Sequence, residues 1–148
     1  MNRTINNLIN HLSEKPRTLF LIDGLGAFLT AFFLFVIIRQ LNQHFGMPIT
    51  ILTYLSVTAS FFGIYSITCF LFLKARWVLF IRIIGIANLL YCFITIGMLI
   101  KYDHLLTTIG TTYFLMEAVI IAGLSYVELK VATDIKMRLS SESQTLNE

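Results

Sequence analysis

The stretch WVLFIRIIGIANLLYCFITIGMLI, Trp77–Ile100, decides the fold, because a single charged residue, Arg82, interrupts an otherwise uncharged and largely apolar run. A hydrocarbon core of about 30 Å is crossed by ~20 residues of helix, and this run is long enough. Three more runs repeat the pattern: Leu19–Ile38, Ile49–Leu73 and Leu105–Leu129. Each has roughly 20 to 25 residues, so the chain predicts four membrane-spanning helices. The connections are short, and Lys74-Ala75-Arg76 and Tyr102-Asp103-His104 force antiparallel neighbours. The expected fold is therefore all-α, a four-helix transmembrane bundle running up-down-up-down.

Composition agrees with that reading. The 148 residues are 57% hydrophobic and only 13% charged, with 13 Phe and 6 Tyr. Such a balance lies outside the soluble globular range. The chain divides into a polar segment 1–18, a four-span bundle 19–130 and a polar tail 131–148, expected to be partly disordered. In the first segment, Ile5, Leu8, Ile9 and Leu12 form a helical stripe, and Pro16 ends it. That stripe suggests a short amphipathic helix at the membrane surface. No signal-peptide cleavage site follows the first run, which is expected to stay as an anchor.

Charge placement sets the orientation. Arg3, Lys15, Arg17, Lys74, Arg76, Arg82, Lys130, Lys136 and Arg138 fall at one face, and only Arg39 and Lys101 at the other. Short basic loops stay on the cytoplasmic side, so both termini are expected to be cytoplasmic. Trp77, Tyr102 and Tyr126 stand where interfacial anchors belong. The formal net charge of +3 is thus a topology signal, and nucleic acid is not expected as a partner.

The polar residues within the runs carry the functional clues. Asp23 and Arg82 each lie about 8 Å from the inner end of their spans, counted at ~1.5 Å per residue. Their equal depth predicts an ion pair between spans one and three, or a lipid headgroup contact for Arg82. Arg82, Gly85, Asn88, Cys92 and Thr95 form a stripe on span three that should face the bundle interior. Asn88 and Glu117 fall at similar depth and are expected to hydrogen-bond, with Tyr91 and Tyr113 near them. Small residues recur at four-residue spacing in Ala27 and Ala31, Ser56 and Ser60, and Ala118 and Ala122. Thr53, Ser56, Ser60 and Gly63 share one face, and such surfaces let helices approach closely, within one chain or between two copies.

Several chemistries lack their residues. His11, His44 and His104 lie outside the runs, which argues against haem ligation within the bilayer. Cys69 and Cys92 sit at different depths, so no disulfide is expected, and no Cys-x-x-Cys or His-Glu-x-x-His is present. His44, Asp103 and His104 make at best a weak metal set on the outer face. Asp23-Gly24-Leu25-Gly26-Ala27 resembles the opening of the lipid phosphoalcohol transferase motif, but the metal-holding aspartates of that motif do not follow. No catalytic residue, cofactor or metal is expected.

Three segments, Leu21–Ala27, Phe45–Pro48 and Ile86–Cys92, resemble a group of small bacterial four-span integral membrane proteins without an assigned activity. The similarity covers about residues 17–130 and implies a bacterial inner-membrane setting, with no mechanism attached. The functional expectation is a non-enzymatic membrane protein that associates with itself, as a homo-oligomer, or with another membrane component. A small proton- or cation-coupled transporter working as an oligomer is the alternative, with Glu117 or Asp23 as its carboxylate. A weaker one is a lipid-modifying enzyme built around Asp23 and Arg82.

Overall fold

The computed structural model describes residues 2–38, 40 and 45–145, and it is helical with no strand among them. Arg39 and His44, which entered the orientation and metal readings, lie outside the described residues. Helix α1 spans Asn2–Glu14, and Lys15 separates it from α2, Pro16–Phe32, which begins with proline at its first turn. Proline suits that position because its missing N–H would have had no helical partner. A π-helical stretch, Phe33–Ile38, continues α2. Helices α3, Ile49–Phe72, α4, Trp77–Lys101, and α5, Thr108–Thr145, follow.

Three of the helical segments are long and apolar enough to cross a bilayer: Pro16–Val36, Ile49–Phe72 and Trp77–Lys101. Helix α5 differs in kind. It has 38 residues and runs on from an apolar first half into the polar stretch beyond Lys130. The outward faces carry large apolar side chains, including Leu25, Phe61, Phe93 and Ile120, all well exposed. A continuous apolar exterior of this kind suits hydrocarbon as its solvent.

Two antiparallel helix pairs make up the bundle. In α2 and α3, the Ser56 hydroxyl donates to the Ala31 carbonyl at 3.0 Å, and Ser66 bonds Asp23. In α4 and α5, the Ser125 hydroxyl donates to the Gly85 carbonyl at 2.6 Å, and Cys92 Sγ donates to the Ala118 carbonyl at 3.4 Å. In both pairs, partner numbers rise along one helix as they fall along the other. Small residues make this approach possible. A methyl group at Gly24 would lie 2.8 Å from Ile67 Cδ1, and one at Gly63 would lie 3.1 Å from Phe28. The small-residue faces are thus consumed within the chain, at Ala31, Ser56 and Gly63 in one pair and at Gly85 and Ala118 in the other.

The core has two apolar clusters. One gathers Leu12, Leu19, Phe20, Ile81, Ile84 and Val131 near the chain ends. The other gathers Leu34, Met47, Leu52, Tyr91, Leu99 and Phe114 at the opposite end. Helix α1 packs its Leu12 into the first cluster, and the Arg138 guanidinium donates to Asn10 Oδ1 at 3.2 Å. Both ends of the described chain therefore lie at one end of the bundle. The side chains of Ile5 and Leu8 lie outside the described set.

At the far end, the two pairs are stitched by their connections. Gly46 has φ of 77° and sits so close to the Leu105 carbonyl that a Cβ there would lie 1.9 Å from its oxygen. Thr107 N–H donates to the Phe45 carbonyl at 3.2 Å. Both the left-handed backbone and the contact demand glycine. Gly46→Ala should lower stability by more than about 1 kcal/mol, beyond the usual loop-glycine effect. Equilibrium unfolding in mixed detergent micelles measures it, with Gly26→Ala, where a Cβ meets nothing within 4 Å, as the mild comparison.

Candidate functional site

A polar layer separates the two apolar clusters, and it is built from every long helix. Helix α2 contributes Asp23, α3 contributes Ser66, α4 contributes Asn88 and α5 contributes Glu128, all of them buried. The Asn88 side-chain amide donates to Asp23 Oδ1 at 2.7 Å and to Glu128 Oε2 at 3.2 Å. The Ser66 hydroxyl donates to Asp23 Oδ2. Asp23 and Glu128 are thus held in one layer by the same Asn88 amide. Glu128 Oε1 has no protein partner.

Expectation and structure part company over Arg82. No ion pair joins it to Asp23, and the one ion pair among the described residues is Arg138 with Asp134 at 2.9 Å. The reason is helical geometry. Steps of three residues advance about 300°, so Arg82 stands roughly 120° around α4 from Asn88. Gly85, Asn88, Cys92 and Thr95 are buried as the stripe predicts, while Arg82 is only half-buried. Arg82 borders a separate depression with Trp77 and Lys136 near the chain ends.

The expected bond between Asn88 and Glu117 is also replaced. Glu117 instead accepts from the Tyr91 hydroxyl, Oε1 to Oη, at 3.4 Å, and its Oε2 has no protein partner. Counting from the apolar run placed Glu117 level with Asn88, but α5 continues far past Leu129, and its register on α4 sets Glu117 beside Tyr91. Tyr113 stands near them with its ring edge-on to Phe45 and Phe114. Cys69 and Cys92 are both free and buried, in accord with their unequal depths.

Two members of the layer escaped the sequence reading. Glu128 sits at the end of the apolar run, where a carboxylate ordinarily meets water. Its side chain points back toward the N-terminus of α5, as helical side chains do, and so reaches inward to Asn88. The available signal was periodic: Glu117, Ile121, Ser125 and Glu128 recur at spacings of four, four and three. Ser66 is likewise the next step, three residues on, along the face of Ser56, Ser60 and Gly63.

Beside the layer lies a cavity of about 320 Å³. Asp23 and Asn88 form part of its wall, Tyr91, Tyr113 and Glu117 another, and Phe62 closes it from α3. Its rim carries exposed Leu29 and Phe33 from α2 and Met116 and Ile120 from α5, so it is a cleft between these two helices that opens sideways. No group of three or more metal-binding side chains occurs among the described residues. No family model, curated protein or solved structure matches the chain, and the geometry alone carries the functional reading.

The layer makes unequal demands on its members. Ser66→Ala removes one interhelical hydrogen bond, expected to cost about 0.6–2 kcal/mol. Asn88→Ala strands two carboxyl groups and should cost more than about 2 kcal/mol. Arg82→Gln should fall within about 0.5 kcal/mol of the parent, since no partner is lost. Reversible unfolding of the three purified variants in detergent ranks them; a large effect at Arg82 would restore the ion pair that the structure replaces.

Proposed function

We propose that this chain is a non-enzymatic, four-span integral membrane protein of a bacterial inner membrane. Both ends face the cytoplasm, and it acts by binding a membrane component, either a second copy or a different molecule. The observation that carries this reading is the sideways cleft between α2 and α5, with a polar wall deep in an apolar bundle. Helix α5 pairs along α4 through Gly85–Ser125 and Cys92–Ala118, which supports its crossing beside the three apolar helices. Its polar continuation, together with α1, then lies outside the bilayer on the side rich in Lys and Arg.

A second reading, a small proton- or cation-coupled carrier working as an oligomer, is favoured by a different observation. Asp23, Glu117 and Glu128 are buried, and no Lys, Arg or His forms an ion pair with any of them among the described residues. Carboxyl groups in such surroundings need compensating positive charge, and a proton or cation supplies it. The lipid-modifying alternative needs Asp23 and Arg82 in one site, and they border different cavities.

Topology is directly testable. In a variant lacking Cys69 and Cys92, single cysteines replacing exposed Glu14 and Ser141 should resist an impermeant maleimide applied outside intact cells, and one replacing Asp103 should react. Labelling of Glu14 and Ser141 positions from opposite sides would end the four-span reading. For association, a photoreactive residue at Met116, on the cleft rim, should give a discrete adduct with a second copy or another non-lipid membrane component, while one at exposed Ile100 should give only lipid adducts.

A further inference from the structure

We propose that the cleft between α2 and α5 binds a lipophilic organic cation, with Glu117 as the counter-charge. The inference rests on the membrane-component reading above and names the chemistry of that component.

Four observations converge on it. The cavity, about 320 Å³, falls within the range of small-molecule pockets. Its walls hold two acidic residues, Asp23 and Glu117, and no Lys, Arg or His among the described residues. Asp23 is already engaged by Ser66, Asn88 and Glu128, whereas Glu117 is only 8% exposed and leaves Oε2 without a protein partner. Thr30 and Asn88 are the other polar side chains of the wall, and the rings of Phe33, Phe62, Tyr91 and Tyr113 line the space, with Phe62 and Tyr91 edge-to-face at 6.2 Å.

A buried carboxylate with an unfilled acceptor calls for a positive charge, and aromatic faces favour a diffuse one. A small hydrated inorganic ion would leave most of the apolar wall without contacts. An ammonium or phosphonium carrying apolar substituents satisfies both the carboxylate and the rings. The rim of Leu29, Phe33, Met116 and Ile120 faces the lipid side, so the ligand enters from the hydrocarbon phase. Lipophilicity is therefore a condition of access as well as of fit.

The test uses the full chain in lipid nanodiscs and radiolabelled tetraphenylphosphonium as the probe, read by equilibrium dialysis against empty nanodiscs. Saturable binding is expected, weakened about 30-fold or more in Glu117→Gln, as expected when one partner of a desolvated charge pair is removed. Ala27→Leu, which narrows the cleft without altering charge, should weaken binding as well. Arg82→Gln, outside the cleft, should not. Circular dichroism and a monodisperse elution profile establish that each variant is folded. Absence of saturable binding, or equal affinity in wild type and folded Glu117→Gln, overturns the assignment. Equal or tighter binding of neutral triphenylphosphine oxide also overturns it, while leaving the membrane-component reading in place; failure of the rim cross-link would remove that reading itself.

Discussion

One side-chain amide, that of Asn88, holds this bundle together across its middle. It donates to Asp23 on α2 and to Glu128 on α5, so a single group on α4 ties two neighbouring helices at once. In a bilayer the apolar effect gives little reason for one helix to prefer another, because lipid tails are as apolar as leucine. Hydrogen bonds and close packing must supply the preference. The Asn88 bridge is one such hydrogen-bonded link, buried in the layer, and it joins three helices at once.

Close packing sets the frame in which that bridge operates. Gly24 brings α2 against Ile67 of α3, and Gly85 brings α4 against Leu129 and Glu128 of α5. The result is two tight pairs, each with its own hydroxyl-to-carbonyl bond, joined by the polar layer and the stitched loops. A cleft follows from this arrangement. Helices α2 and α5 contribute Asp23 and Glu128 to the layer, and the cavity lies beside it, lined by Tyr91, Tyr113 and Glu117. The same contacts that stabilise the layer thereby leave space beside it.

Helical architecture was readable from run length and composition, because three segments are apolar over the whole span and their loops are too short for anything but reversal. The burial of Gly85, Asn88, Cys92 and Thr95 followed from periodicity, and Asp23, a polar group in an apolar run, is buried as well. Partner identity was not readable. Equal depth paired Asp23 with Arg82, but depth is one coordinate and rotation about the axis is another; two steps of three residues leave Arg82 about 120° from Asn88, on a different face. Glu128 was hidden for a related reason. It sits at a sequence boundary where hydropathy predicts water, yet its side chain points backward along α5 into the layer. Single-helix arguments locate a residue on its own cylinder, whereas the partner depends on how the cylinders are set against each other.

The two kinds of carboxyl in this interior do different work, and hydrogen bonding separates them. Asp23 is enclosed by Ser66, Asn88 and Glu128, each from a different helix, so displacing it would disturb the whole bundle. Glu117 has one long contact, to Tyr91 at 3.4 Å, and its buried Oε2 has no protein partner. Removing the first group removes ties to several helices; changing the second removes one long bond to Tyr91. Glu117 is therefore the acid on the cavity wall that a single long hydrogen bond holds to its neighbours.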